Sequence, residues 1–450
     1  MKRALGSRTS IALVIIAALL LTTPLAAWAD QVKLNVGLAN PVLLSGKKQT
    51  TYLKVGLTGF PMASAEKRAP VNVAIVLDKS GSMAGQKIEQ AKSAAIQAIN
   101  RLQNDDIVSI VAYDHTVQVV LPATKVTDKY AIASAIRRIT AGGNTALFGG
   151  VCKGAEEVRK FLDRNRVNRI ILLSDGLANV GPSSPAELGA LGASLVKEGI
   201  SVTTLGIGTG YNEDLMYQLA KASDANHTFI GEDADIAQIL NREFGDILSV
   251  VAKEVLIKVT CAAGIRPVRA LGRDADISGS TVTAVLSQLY SRQEKYILIE
   301  VEVPATAAET SRPVAEVTVS YANMQTMATD HLSSTVSTRF SPSEQIVGQE
   351  TRPDVMIAVA EQIATENSVL AVTLRDQGKV EEARRLLEKN VAYLGKYATK
   401  YKSDSLRSLQ KANWQDSQNL EGKKWIEGRK LMRDIQSERQ QQRGYTNPKR

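Results

Sequence analysis

The sequence has few of the residue types on which most metalloenzymes and disulfide-rich proteins depend. Its 450 residues include only two cysteines and three histidines. Two cysteines exclude a disulfide-stapled scaffold and a four-cysteine zinc site. The three histidines, His115, His227 and His331, form no HExxH pair, and no GxSxG nucleophile elbow occurs in the chain. The sequence therefore offers little for zinc or serine-hydrolase chemistry.

Composition and charge are those of a globular chain. Apolar residues make up 44% and charged residues 22%, which excludes a mainly disordered, collagenous or polytopic membrane protein. The formal net charge is +9, and the length suggests about two to four domains. We expect no nucleic-acid partner.

The first 29 residues have the pattern of a secretory signal peptide. A basic start is followed by an apolar run over 11–21, and Ala27-Trp28-Ala29 matches the small-x-small cleavage pattern. We expect cleavage between Ala29 and Asp30 and export to the periplasm or the medium. The alternative is an uncleaved anchor, but the run is shorter than the ~20 residues that span a bilayer. We expect no later stretch to be long and apolar enough to span a membrane.

Two β-rich segments flank a central segment of a different kind. Residues 31–38 and 51–57 alternate apolar and polar side chains, as half-buried strands do. The same alternation returns in five later stretches, at 254–260, 280–286, 296–303, 315–321 and 334–340. About seven short strands suit an all-β immunoglobulin-like sandwich. We expect one sandwich, formed by 30–69 and 249–342, with a domain inserted into it. A docked N-terminal hairpin beside a separate sandwich is the alternative, although a lone hairpin would be unstable.

The inserted segment, residues 70–248, alternates strands and helices. Apolar strands are predicted at 71–77, 107–113, 169–173, 202–207 and 227–230, and helices at 87–100, 130–139, 148–162, 185–197, 213–222 and 235–248. This alternation predicts an α/β doubly wound, Rossmann-like fold with a parallel sheet.

Residues 350–440 are predicted to be helical and polar. Helices at 355–376 and 380–401, separated at Gly378, suggest a helical hairpin that is similar in character to one tetratricopeptide unit. Residues 441–450 are expected to form a basic disordered tail. From Val391 to Arg450 there are 14 basic and 6 acidic residues, a balance of +8. This excess indicates either a solvated helical face or peripheral contact with an acidic partner or an anionic surface.

Three short motifs follow predicted strands or precede a helix of the α/β segment. They are Asp78–Met83 (DKSGSM), Gly142–Leu147 (GGNTAL) and Ser174–Gly176 (SDG). Ligands of open α/β sheets bind at the carboxyl edge of the strands, where strand order switches. We therefore expect the three motifs to converge.

The polar side chains of these motifs suit a hard divalent cation. Two carboxylates and three hydroxyls, with no sulfur or imidazole, favour Mg²⁺, Mn²⁺ or Ca²⁺ over zinc or copper. The candidate ligands are Asp78, Ser80, Ser82, Thr145 and Asp175. Gly81 allows a tight turn between the two serines. Neutral hydroxyls leave an ion incompletely neutralised, so it would attract an external carboxylate.

With these motifs the segment resembles a von Willebrand factor type A (VWA) domain with a metal-ion-dependent adhesion site. The resemblance implies that Ser80, Ser82 and Thr145 contact the metal through hydroxyls. It also implies that Asp78 and Asp175 bind directly or through water. A domain of this family binds protein ligands and is not itself a catalyst. The overall layout is similar to bacterial relatives of inter-alpha-trypsin inhibitor heavy chains.

Other features receive structural interpretations. Gly206–Gly210 lacks the spacing of a dinucleotide-binding loop, and His115 and His227 are expected to be structural. Lys79 should point away from the metal centre. Cys152 and Cys261 could pair after export, but they fall in different predicted domains, so we expect two buried free thiols.

Three functions remain open. The first is an exported, metal-dependent protein-interaction or adhesion module whose partner presents an exposed Asp or Glu. The second is a structural component of an envelope complex that acts mainly through its C-terminal helices. The third, an enzyme or enzyme subunit, is weakest, since no acid, base or nucleophile set appears outside the metal motifs.

Overall fold

The computed structural model of the protein describes residues 31–62, 68–231 and 234–442. The predicted signal peptide lies outside the described residues, as does the predicted tail beyond Gln442.

The secondary structure follows the predicted order, with additional strands and helices. The first strands are β1 (Lys33–Leu38), β2 (Val42–Leu44) and β3 (Gln49–Thr58). The α/β unit comprises β4 (Val71–Asp78), α1 (Gln86–Asn100), β5 (Ile107–Tyr113), β6 (Val117–Lys125), α2 (Lys129–Arg137), α3 (Leu147–Arg159), β7 (Val167–Ser174), α4 (Pro185–Lys197), β8 (Ile200–Ile207), α5 (Glu213–Ala222), β9 (His227–Ile230) and α6 (Ile236–Ile247). The later strands are β10 (Val250–Cys261), β11 (Arg266–Leu271), β12 (Asp276–Ser278), β13 (Thr281–Tyr290), β14 (Glu294–Val303), β15 (Ser311–Asn323) and β16 (Thr329–Ser341). The final helices are α7 (Glu344–Gln349), α8 (Pro353–Asp376), α9 (Val380–Tyr401), α10 (Asp404–Gln418) and α11 (Gly422–Gln440).

The α/β unit is doubly wound around a six-stranded sheet of order β6-β5-β4-β7-β8-β9. Every residue of β4, β5, β7 and β8 is buried, which explains their nearly continuous apolar sequences. Side chains from α1, α2 and α6 pack on one face of the sheet, and those from α3, α4 and α5 pack on the other. Chain order reverses between β4 and β7, so the ligand-binding crevice of this fold lies there.

The sheet is mixed, so the prediction of a parallel sheet was wrong for one strand. β6 runs antiparallel to β5, with Val117 opposite Tyr113 after a tight turn. β6 lies at the sheet edge with every residue at least partly exposed, and it contains Pro122. Because it is not buried on both faces, its sequence lacks the apolar run that identified the central strands.

The strands on either side of the α/β unit form two sheets, ordered β1-β3-β14-β11 and β12-β13-β10-β15-β16-β2. β3 pairs with β14 along its whole length, so strands from before and after the α/β unit share a sheet, as the insertion hypothesis requires. Side chains of both sheets, among them Val55, Ile299, Ile257 and Val317, enclose one apolar core.

Ten strands occur in these two sheets among the described residues, whereas the sequence predicted about seven. The additional strands are β2, β11 and β12, of three to six residues each. The three-residue strands β2 and β12 carry too few alternating positions to be recognised, and a register shift between Pro267 and Arg269 interrupts the alternation in β11. β2 also pairs parallel to β16. The immunoglobulin-like assignment of this architecture stays a prediction.

The C-terminal region contains more than the predicted hairpin. Helices α8 and α9 lie where the sequence placed them, but α10 and α11 follow, and both pack against α8. The expectation that no later stretch is long and apolar enough to span a membrane was wrong, because α8 passes that test by length and composition. Its apolar side chains include Val355, Val359 and Val372, all buried in the protein's own cores.

Helix α11 covers strand β9, at one edge of the α/β sheet. On strand β9, the backbone N–H of His227 donates to Ser437 Oγ at 3.0 Å, and that of Phe229 donates to Asp434 Oδ1 at 3.3 Å. Covering an edge strand in this way removes a template for pairing with another chain. Just beyond the helix, the Gln442 side chain bonds both backbone groups of Tyr296 in β14. Residue 442, which the sequence assigned to the disordered tail, therefore contacts the fold, and the rest of the predicted tail lies outside the described residues.

Candidate metal centre

Asp78, the last residue of β4, lies at the switch point and is fully buried. Its Oδ1 accepts the backbone N–H of Ser80 at 2.8 Å, which turns the chain sharply after the strand. Its Oδ2 accepts the hydroxyl of Ser174, the last residue of β7, at 2.6 Å. Asp78 thus joins the ends of the two strands between which the chain order reverses.

A chain of hydrogen bonds links the first motif to the third. The hydroxyl oxygens of Ser80 and Ser82 are 3.1 Å apart, and Ser82 Oγ donates to Asp175 Oδ1 at 2.6 Å. Ser80, Asp78 and Asp175 are buried, whereas Ser82 is exposed. The hydrogen-bonded chain is therefore buried at Asp78, Ser80 and Asp175 and open to solvent at Ser82.

Backbone hydrogen bonds fix the second motif beside the first. Gly142 N donates to Lys79 O at 2.7 Å, and Gly81 N donates to Gly143 O at 2.9 Å. Thr145 is buried, and its N–H donates to Asn179 Oδ1 at 2.9 Å. The three loops form one connected rim.

Gly176 shows how closely the oxygens converge. A Cβ on this glycine would lie 2.7 Å from Thr145 Oγ1, 3.4 Å from Asp78 Oδ2 and 3.4 Å from Ser80 Oγ. Three oxygens from the first two motifs therefore surround one small space beside the third motif. The structure brings together all five residues predicted from the sequence: Asp78, Ser80, Ser82, Thr145 and Asp175.

The electrostatics of the site favour a cation. Burial raises the pKa of Asp78, and the nearby Asp175 carboxylate raises it further, against opposing hydrogen bonds from Ser174 and Ser80. Lys79 points away from these oxygens, as predicted, and pairs with Asp114. Although burial alone would raise it, hydrogen bonds from Lys79 and Thr116 lower the pKa of Asp114 to about 2.

The donor set fits a hard divalent ion. Both carboxylates and all three hydroxyls offer oxygen, and the three side-chain atoms nearest to the space at Gly176 are all oxygens. Among residues 31–62, 68–231 and 234–442, no group of three or more His, Cys, Asp or Glu side chains could hold a metal ion. The mixed set of two acids and three hydroxyls is therefore the candidate metal site of the described chain.

Sequence reasoning missed three supporting residues. Ser174 stands inside the third motif, and its position at the end of a strand could have indicated its contact with Asp78. Asn179 holds Thr145, and Lys87 Nζ lies 2.5 Å from Asp175 Oδ2. Lys87 is nine residues beyond Asp78 at the start of a helix, and neither it nor Asn179 carries a motif signal.

The remaining expectations concern histidine and cysteine. His227 is buried, with its Nδ1 2.9 Å from Thr204 Oγ1, so its predicted structural role is confirmed. His115 is exposed, with its Nδ1 3.3 Å from Asp114 Oδ1. Cys152 and Cys261 are both free; Cys261 is buried as predicted, whereas Cys152 is only partly buried.

Comparison with known families identifies the α/β unit. Residues 72–242 match the family model of the von Willebrand factor type A domain, and the chain therefore contains a VWA domain. Domains of this family generally mediate metal-dependent protein interactions and are typically interaction modules rather than catalysts.

Relatives by sequence include both bacterial and animal proteins. The protein sll0103 of Synechocystis is 29% identical over 63% of this chain and 71% of its own length. YfbK of Escherichia coli is 28% identical over 47% of this chain and 37% of its own length. The human inter-alpha-trypsin inhibitor heavy chain H3 is 27% identical over 37% of this chain and only 20% of its own length. The match thus spans less than two fifths of the last two relatives.

Solved structures extend the likeness beyond the VWA domain. A von Willebrand factor type A protein from Catenulispora acidiphila superposes with a TM-score of 0.67 at 16% identity, over 86% of this chain and 91% of its own. The ArnB paralog VWA2 from Sulfolobus acidocaldarius gives 0.61 at 17% identity, over 90% and 98%. At these identities the likeness concerns the fold alone.

Proposed function

We propose that this protein is an exported, divalent-metal-dependent interaction module that captures an acidic side chain of a partner protein. The observation that carries the proposal is the convergence of Thr145 Oγ1, Asp78 Oδ2 and Ser80 Oγ on one space at the switch point. Chain export rests on the signal-like sequence of residues 1–29. We propose no catalytic role.

Five residues would hold the ion, namely Asp78, Ser80, Ser82, Thr145 and Asp175. When bound, the ion supplies a positive charge with at least one position for an external oxygen. We propose Mg²⁺ as the ion, with Mn²⁺ or Ca²⁺ as alternatives, since Mg²⁺ is usually held by one or two carboxylates and keeps several waters. The protein itself orients these oxygens and shields the carboxylates of Asp78 and Asp175 from water.

The open side of the site is suited to a protein ligand. Ser82 is exposed at the rim, and Leu177, directly after the third motif, has an exposed fraction of 58%. A partner carboxylate can therefore approach the ion while an apolar surface beside it contacts Leu177. Charge-assisted contacts contribute a few kcal/mol when desolvated, and the surrounding loops supply specificity.

The test is capture of partners from an envelope or culture extract, with Mg²⁺ and with a chelator. Asp78→Ala and Thr145→Ala should both abolish capture, and readded Mg²⁺ or Mn²⁺ should restore it only in the wild type. Two exposed residues of the same domain give matched controls, Asp105→Ala and Thr127→Ala. A partner retained equally with chelator and by both site variants would contradict the adhesion mechanism.

A second candidate is an assembly role through the C-terminal helices, favoured by the exposed Trp414 on α10 and Ile426 on α11. The basic excess of α11 supports it less, because Arg429 and Lys430 pair with acids of the VWA domain. Deleting the helices would uncover strand β9, so point variants are the better test. If Trp414→Ser and Ile426→Ser abolish partner capture and Asp78→Ala does not, the assembly role is correct.

A further inference from the structure

Lys87 places a fixed positive charge on the candidate metal centre. It is the second residue of α1, and its Nζ donates to Asp175 Oδ2 at 2.5 Å. The Asp175 side chain is completely buried, whereas that of Lys87 is 39% exposed. The other oxygen of Asp175 accepts the Ser82 hydroxyl. Asp175 is thus held between the first motif and the helix that follows it.

The loop after β8 supports this placement. Gly208 has a left-handed backbone, with φ of +67°, and a Cβ there would lie 3.7 Å from Lys87 Nζ. The ammonium group therefore sits over the ends of two neighbouring strands, β7 and β8. A longer side chain at residue 208 would compete with it for this space.

The second lysine near the site does not act in the same way. Lys79 pairs with Asp114, so these two charges cancel each other. Lys87 differs, because the carboxylate that it contacts, Asp175, is itself a candidate metal ligand. The charges that belong to the site are therefore those of Asp78, Asp175 and Lys87, with a sum of −1.

We propose that Lys87 is a tuning residue that weakens metal binding and strengthens capture of an anionic ligand by the bound metal. This inference rests on the proposed function. A divalent ion brings the site from −1 to +1 when Lys87 is present. Without the lysine the same ion would bring it from −2 to 0. The lysine thus leaves a loaded site that still attracts a carboxylate.

A tuning role and a structural role predict different results when Lys87 is replaced. Loss of a structural contact would weaken both metal binding and ligand binding. Loss of the charge alone should tighten metal binding and weaken ligand binding. Charges a few ångströms apart near a protein surface interact strongly enough to change an affinity by about three- to thirtyfold.

The first measurement is calorimetric titration of the purified full chain with Mn²⁺ alone. We expect Lys87→Gln to bind Mn²⁺ about three- to thirtyfold more tightly than the wild type, and Lys87→Arg to remain within about twofold. Lys153→Gln, on α3, removes an equal charge from an exposed pair with Glu156 and should change nothing. Circular dichroism checks that each variant is folded.

The second measurement uses acetate as a model carboxylate. Broadening of its methyl proton resonance by protein-bound Mn²⁺ reports acetate affinity at saturating metal. Lys87→Gln should bind acetate at least about threefold more weakly, although it holds Mn²⁺ better. Equal or weaker Mn²⁺ binding by Lys87→Gln, or unchanged acetate binding, would overturn the tuning role while leaving the metal site intact. Failure of the wild type to bind Mn²⁺ would instead refute the proposed function itself.

Discussion

Gly176→Ala is the sharpest single test of the metal centre, because it adds one methyl group to the space where the oxygens converge. Gly176 does not have a left-handed backbone, so alanine can adopt its conformation. The new Cβ would lie 2.7 Å from Thr145 Oγ1 and 3.4 Å from both Asp78 Oδ2 and Ser80 Oγ. The substitution therefore acts on the candidate ligands rather than on the backbone.

The geometry sets the size of the effect. Ordinary contact begins near 3.4 Å, so Thr145 Oγ1 must move by about 0.7 Å or rotate away. Thr145 is buried and tied through its backbone to Asn179, which restricts the first route. Metal–ligand distances tolerate only about 0.2 Å, so either movement removes a ligand. We expect at least about a tenfold loss of affinity, equivalent to about 1.4 kcal/mol.

Calorimetric titration with Mg²⁺ and Mn²⁺ measures this loss, and Gly142→Ala is the matched control. Gly142 belongs to the second motif, but a Cβ there meets nothing within 4 Å. Overpacking in Gly176→Ala should lower the free energy of unfolding by about 1–3 kcal/mol. The reduced entropy of the unfolded chain should raise it by about 0.4–1 kcal/mol. The variant should therefore remain folded, as measured by urea unfolding in the presence of chelator. Wild-type affinity in Gly176→Ala would show that the ion does not bind in this space.

Two further predictions concern stability. Arg429→Ala should lower the free energy of unfolding by about 2–4 kcal/mol in urea titrations, because it leaves the mostly buried Glu213 without one of its two cationic partners. Arg407→Ala is the control, since it removes an exposed ion pair and should lower the free energy of unfolding by less than about 1 kcal/mol. Burial lowers the pKa of His227 to about 3, so below about pH 6.5 the unfolded chain takes up a proton that the folded chain does not. Stability should therefore fall with pH from about 6.5 downward, by up to about 1.4 kcal/mol per pH unit, and His227→Gln should flatten that slope; an unchanged slope would contradict this account.

The sequence predicted the centre of the VWA domain because its signals there are local. Strand β4 is buried on both faces, so its apolar run is visible without any knowledge of its neighbours. A motif directly after such a strand must lie at the carboxyl edge, where the fold places its crevice. For that reason Asp78 and Asp175 could be assigned to one site before any contact was known, and Thr145 was added from the motif before a predicted helix.

Other features could not be predicted because they depend on contacts between distant residues. Strand β6 is recognisable only as the antiparallel neighbour of β5, and the three-residue β2 only through its pairing with β16. The contact between Arg429 and Glu213 joins residues 216 positions apart. Lys87 belongs to the amphipathic pattern of α1, and only the fold brings it to Asp175.

The way the VWA domain is attached to the rest of the chain explains why its candidate metal centre is accessible. Arg169, near the start of β7, donates to Gln288 Oε1 at 2.5 Å and to Tyr290 Oη at 3.3 Å on β13. Asp175 follows the other end of the same strand, about 20 Å away at ~3.3 Å per residue. Since the β-sheets contact the amino end of β7 and α11 covers the β9 edge, the carboxyl edge is the side that can meet a partner. Attachment at the opposite end would orient this edge outward, and the partner's surface would then be selected by the loops that carry Ser82 and Leu177.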